Sequence, residues 1–202
     1  MRFLAQLISV IAHPLLLPTY AALLLMVTND HLFGGYDRSD LSRLLWMVAF
    51  NTFLFPAASL LLMRKLGLIS SLVFPEARHR TLIYVVCGVF YAWSAAVFYQ
   101  SDVPPLIQAV VLGAVFTLFL TFFFSLFRNV SIHAGGAGAF LIVTVLACMA
   151  APQYTPQLPM ITAVGAGLVG TARMWLGAHD LQEIVAGYLV GMACQLAAVQ
   201  LI

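Results

Sequence analysis

Charge is what this sequence has least of. Asp, Glu, Lys and Arg make up 8% of its 202 residues, where a soluble domain has about a quarter. Apolar residues make up 63%. A chain of this length has too little interior to hide so much apolar surface from water. A water-soluble fold is excluded, and the lipid bilayer becomes the solvent. The few basic groups are scattered and the net charge is only +2, so a nucleic-acid footprint is absent. Cysteine is scarce too. Cys87, Cys148 and Cys194 stand singly in apolar runs, which reads as small buried side chains and not as a disulfide frame or metal site. Carboxylates form no cluster suited to Mg²⁺, so neither metal nor cofactor is expected. The apolar runs do not alternate with polar residues, which argues against a β-barrel.

What is present is a succession of long apolar runs. Each bilayer crossing needs about 20 such residues, and the pattern predicts spans near 4–28, 41–63, 81–99, 105–127, 133–151, 158–175 and 181–202. The expected fold is all-α, a polytopic membrane helix bundle of six or seven transmembrane helices forming a single membrane-embedded domain over 1–202. The run after Met1-Arg2 is too long for the apolar region of a signal peptide, so it reads as a retained first span, kinked at Pro14 and Pro18. Alternate breaks share a side of the membrane. That grouping collects Arg2, Arg64, Lys65, Arg78, Arg80, Arg128 and Arg173 on one side against Arg38 and Arg43 on the other. The positive-inside rule then assigns the first group to the cytoplasm.

Ionisable groups near spans are costly and usually functional. Arg128, His133, Arg173, His179 and Glu183 all fall at span ends on one expected side. Glu183 follows His179 by four residues and shares its helical face. A carboxylate there can hold one imidazole nitrogen and leave the other free to attack. Asp180 or a neighbour can cap the last helix, and Ser131 can cap the helix carrying His133. Two helix N-termini beside arginines make an anion site suited to phosphate. A second imidazole can protonate a leaving group, so metal-free phosphoryl transfer fits these residue types.

Arg173, five residues, His179, three residues, Glu183 resembles the third signature of the type-2 phosphatidic acid phosphatase superfamily. Val130-Ser131-Ile132-His133 resembles its second signature, Pro-Ser-Gly-His. The resemblance covers 64–202, a phosphatase-like core, with 1–63 as two added N-terminal spans, and is to a small bacterial membrane branch. It implies an integral protein of the bacterial inner membrane that hydrolyses a phosphate monoester or pyrophosphate of a membrane lipid. By resemblance, candidate substrates are phosphatidic acid, phosphatidylglycerol phosphate and polyprenyl pyrophosphate. His179 would be the nucleophile that forms a phosphohistidine, Glu183 its orienting carboxylate and His133 the general acid. Arg173 and Ser131 would bind phosphate, with Arg80, Arg78 or Arg128 supplying the remaining basic contact. Ile132 stands where the family has Gly, Val130 where it has Pro and Glu183 where it has Asp. The family's first signature has no recognisable counterpart.

The other polar residues receive structural readings. His13, before Pro14, is expected to serve packing, and His31 and His79 to lie solvated in loops. Arg64 and Lys65 read as interface anchors, and Gly135, Gly136 and Gly138 as close-packing positions. Two rival functions use the same residues: a non-catalytic transporter or lipid-binding scaffold with a degenerate site, and a lipid phosphotransferase.

Overall fold

Prolines, glycines and polar caps set where the apolar runs stop being helix. The computed structural model describes residues 1–70, 77–152 and 155–202, apart from the side chains of Ala77 and Arg78. Its helices are α1 (Arg2–Ile11), α2 (Leu17–Thr28), α3 (Arg38–Ala49), α4 (Phe55–Lys65), α5 (Ala77–Tyr99), α6 (Pro105–Ser125), α7 (Ile132–Ala150), α8 (Gln157–Trp175) and α9 (Leu181–Leu201). A 3-10 turn at Asp30–Phe33 follows α2, and a π-helical turn at Phe50–Leu54 joins α3 to α4. The described regular structure is all helical.

Among the described residues, five helices are long and apolar enough to cross a membrane: Arg38–Lys65, His79–Tyr99, α6, α7 and α9. Two expected spans differ. α8 has the length but is diluted by Gln157, three glycines and Arg173. The first is divided. Proline cannot donate to the preceding turn and its ring clashes with it, so Pro14 does more than kink the run. It separates α1, of 10 residues, from α2, of 12, while Pro18 sits harmlessly in the first turn of α2. At about 1.5 Å per residue, neither piece approaches the roughly 30 Å of a hydrocarbon core. His79, expected in a loop, lies in the first turn of α5, with Nδ1 2.9 Å from Ser70 Oγ.

The centre of the bundle is the pair α7 and α9. Lipid offers no hydrophobic drive for helices to associate, so close backbone approach and dispersion must hold them. Small residues make that possible. A Cβ added at Gly191 would lie 1.8 Å from the Gly135 carbonyl oxygen, and one at Gly187 would lie 2.5 Å from that of Ser131. One at Gly138 would lie 2.6 Å from the Tyr188 carbonyl oxygen. Gly136 faces α2 instead, where an added Cβ would meet Leu17 Cδ1 at 2.7 Å. α2 runs beside α7 to its far end, where the fully buried Asn29 donates to the Ala147 carbonyl at 3.0 Å. α6 closes the other side of α9, and Gln195 Nε2 donates to the Ala109 carbonyl at 3.0 Å. This packing holds the first turns of α7 and α9 side by side.

Candidate functional site

The site starts from a turn. α8 ends in a Schellman motif, with Gly177 N–H donating to the Met174 carbonyl at 2.9 Å and Ala178 N–H to the Arg173 carbonyl at 3.1 Å. Gly177 has φ +68°, a left-handed conformation that glycine adopts without strain. The chain therefore reverses within four residues and α9 begins at once, capped by Asp180. Asp180 Oδ1 accepts from Glu183 N–H at 2.8 Å, and Glu183 Oε2 accepts from Asp180 N–H at 3.2 Å. This reciprocal box satisfies two donors that a helix start leaves open. It gives Glu183 a reason to be longer than Asp, since it caps the helix and holds a neighbour with the same oxygen.

That neighbour is His179. Its Nδ1 lies 2.9 Å from Glu183 Oε2. Asn129 Nδ2 donates to the same oxygen at 3.5 Å, and its Oδ1 accepts from Arg80 Nη1 at 2.7 Å. With the carboxylate accepting, the His179 proton belongs on Nδ1 and the lone pair on Nε2. Arg80, Asn129 and Glu183 thus form a line of support behind one imidazole. The two helix starts are joined directly as well, Ser131 N–H donating to the Glu183 carbonyl at 3.3 Å.

Arg173 and His133 complete the group. Arg173 is 8% exposed, lines the same cavity as His179 and makes no hydrogen bond or ion pair among the described residues. Its charge acts on His133, on His179 and on His13, which places all four within one electrostatic neighbourhood. His133 lines the cavity too, and its Nδ1 is enclosed with no partner among the described residues. A buried guanidinium with no counter-charge is costly and is normally paired with an anion.

The remaining expected residues fall in different places. Ser131 caps α7, its Oγ accepting from Ala134 N–H at 3.4 Å; it is fully buried and does not line the cavity. Arg128 is exposed and donates through Nη2 to Gln182 Oε1, outside the cavity lining. Arg80 does line it. The Arg78 side chain lies outside the described residues.

Two residues not singled out for the site from the sequence also line the cavity, Asn129 and His13, the latter read as a packing residue. Asn129 links Arg80 to Glu183, and the available signal was an amide two residues ahead of a helix cap. His13 sits in the break between α1 and α2, its ring 5.3 Å from that of His133 and nearly perpendicular to it at 81°. Its signal was the following proline, which breaks the helix and turns an imidazole inward.

The cavity has a volume of about 820 Å³, within the range of small-ligand sites. Arg80, Asn129, His133, Arg173 and His179 form its polar end. From there it follows α7 to Val143 and α6 to Val110, between apolar walls. His133 to Val143 is roughly 15 Å along the helix, about half of a hydrocarbon core. Residues of α2, α4 and α5 also line it, among them Leu17, Leu60 and Cys87. Val10 on α1 and Leu61 on α4, both more than half exposed, line it as well. Among the described residues no three His, Cys, Asp or Glu side chains stand together as a metal site. Compared with protein-family models, with curated proteins and with solved structures, the chain matches none.

Proposed function

We propose that this protein is an integral-membrane lipid phosphatase that cleaves a phosphate monoester or pyrophosphate through a phosphohistidine on His179, without a metal. The observation that carries the reading is Arg173, a buried cation with no counter-charge among the described residues, lining the polar end of an apolar cavity with two imidazoles. That combination suits an amphiphile whose head is anionic and whose tail is apolar. The resemblance of residues 173–183 and 130–133 to the type-2 phosphatidic acid phosphatase signatures supports the same chemistry.

In the first step His179 Nε2 forms a bond to phosphorus as the bond to the lipid oxygen breaks. His133, protonated, gives that oxygen its proton. Glu183 stabilises the cationic ring that results, through the Nδ1–H it already holds. Arg173 neutralises charge on the phosphoryl oxygens as it builds up. A water molecule then attacks phosphorus, His133 takes up its proton, the N–P bond breaks and inorganic phosphate leaves. The anionic substrate itself favours the protonated form of His133.

The direct test is release of inorganic phosphate from a panel of lipid phosphates by purified protein in detergent. We expect turnover of at least one member, at an unchanged rate in excess EDTA. Binding without release would instead support a transporter or scaffold, and transfer of phosphate to another alcohol a phosphotransferase. Loss of activity in EDTA with recovery in Mg²⁺ would overturn the metal-free step.

The pH profile makes a second test. Burial holds His179 below the ordinary imidazole value of 6.5, the Glu183 hydrogen bond opposes this and the charge of Arg173 reinforces it. A lowered pKa means the proton is shed at lower pH, so the attacking neutral form survives into acid. The acid limb of kcat/KM is expected below pH 6.5. Glu183→Gln removes the opposing interaction and should move the limb further down. A limb above that value in the wild type would contradict neutral His179 as the attacking group.

A further inference from the structure

We infer that His13 is a substrate-binding residue, its Nε2–H donating to a phosphoryl oxygen of the anion held by Arg173. The inference rests on the phosphatase reading and adds to it a residue from outside the part of the chain that resembles known phosphatases.

The argument begins with the break at Pro14. Irregular backbone at membrane depth is tolerated only where it is buried in protein or lines a cavity, and its free N–H groups need acceptors. His13 supplies one of these, since its Nδ1 accepts from Leu15 N–H at 3.3 Å. An imidazole that accepts on Nδ1 carries its proton on Nε2. That proton has no acceptor in the protein among the described residues, yet the ring lines the cavity beside His133 and Arg173. A donor without a partner among the described residues, on a ring that lines a cavity with a buried cation likewise unpaired among them, calls for an anion's oxygen. Leu17 and Pro14 pack against Gly136 on α7, so the break is seated on the helix that carries His133. The ring is therefore held at the site and does not drift across it. The chain has no recognisable counterpart of the first phosphatase signature, and a donor from the N-terminal break can do part of its work.

Two isosteric replacements separate this role from a purely structural one. His13→Asn keeps an acceptor where Nδ1 stands and so can still take the Leu15 N–H, but it offers no donor at the Nε2 position. His13→Gln does the reverse, placing an amide N–H near Nε2. The probe is orthovanadate, a phosphate mimic, read by thermal shift of the purified protein and by inhibition of lipid-phosphate turnover. His13→Asn should unfold at the wild-type temperature without anion, bind vanadate about tenfold more weakly and show a KM raised by a similar factor. These values are those of one lost hydrogen bond to a charged group. His13→Gln should keep vanadate affinity within about twofold while melting lower. Wild-type vanadate affinity in His13→Asn overturns the inference, as does a folded His13→Gln that has lost it. A fall in kcat alone, with KM and vanadate affinity unchanged, also overturns it. A wild-type protein that responds to neither vanadate nor lipid phosphate counts against the phosphatase reading itself, which keeps the two failures distinct.

Discussion

His179→Ala is expected to lower phosphate release by about 10⁴-fold or more, because it deletes the atom that bonds phosphorus and reroutes the reaction through direct attack by water. What remains is the catalysis that Arg173 and the shaped cavity give on their own. Stability should change little. Glu183 keeps its bond to Asp180 N–H and its contact with Asn129, so no buried carboxylate is stranded. Two measurements check this. Steady-state release of phosphate gives the loss of rate. Acid-stable or base-stable label after a rapid quench with radioactive substrate reports the intermediate: a phosphohistidine survives base and is lost in acid. The label should be present in the wild type and missing in the variant. A His179→Ala protein that folds and turns over lipid phosphate at the wild-type rate would remove the nucleophile from the proposal.

Arg173→Met should separate stability from binding. In the free protein the guanidinium is buried with no partner among the described residues, a state that costs stability. Methionine fills similar space, adapts its shape and carries no charge. The free variant should therefore be more stable than wild type, by roughly 1–3 kcal/mol. The same change removes the charge that meets the phosphoryl oxygens, so turnover should fall about 10²–10³-fold. Thermal denaturation with and without inorganic phosphate shows both effects together. Phosphate should raise the wild-type transition and leave that of Arg173→Met where it is. A variant that melts lower than wild type without phosphate, yet is still stabilised by it, would show that Arg173 is held by the fold and not by a ligand.

The long helices were legible because apolar runs of about 20 residues have few alternatives. α9 was legible to its first turn, since Asp180 and Glu183 at a spacing of three are themselves the capping pattern. The four-residue reach from Glu183 to His179 is legible in the sequence as well, because it is a local property of one helix start. What could not be read was anything that depends on which helices meet. The division of the first run needed knowledge that α7 offers Gly136 as a seat for Pro14 and Leu17. His13 was given a packing role because a lone imidazole before a proline says nothing of its neighbour 120 residues away. Ser131 was expected to cap α7 and to touch phosphate. It caps the helix, but its full burial turns the hydroxyl from the cavity, while Asn129 two residues earlier faces it. Arg128 and Arg80 look alike in sequence, yet Arg80 lines the cavity and donates to Asn129 while Arg128 is exposed and donates to Gln182.

The apolar length of the cavity has a consequence for how any tailed ligand arrives. A lipid phosphate of the kind proposed resides in the bilayer, and the apolar walls from Val143 to the polar end can hold its tail. Encounter then becomes a two-dimensional search, set by lateral diffusion within the leaflet. The quantity that saturates the site is the ligand's mole fraction among its neighbouring lipids, whatever the volume of water around the membrane.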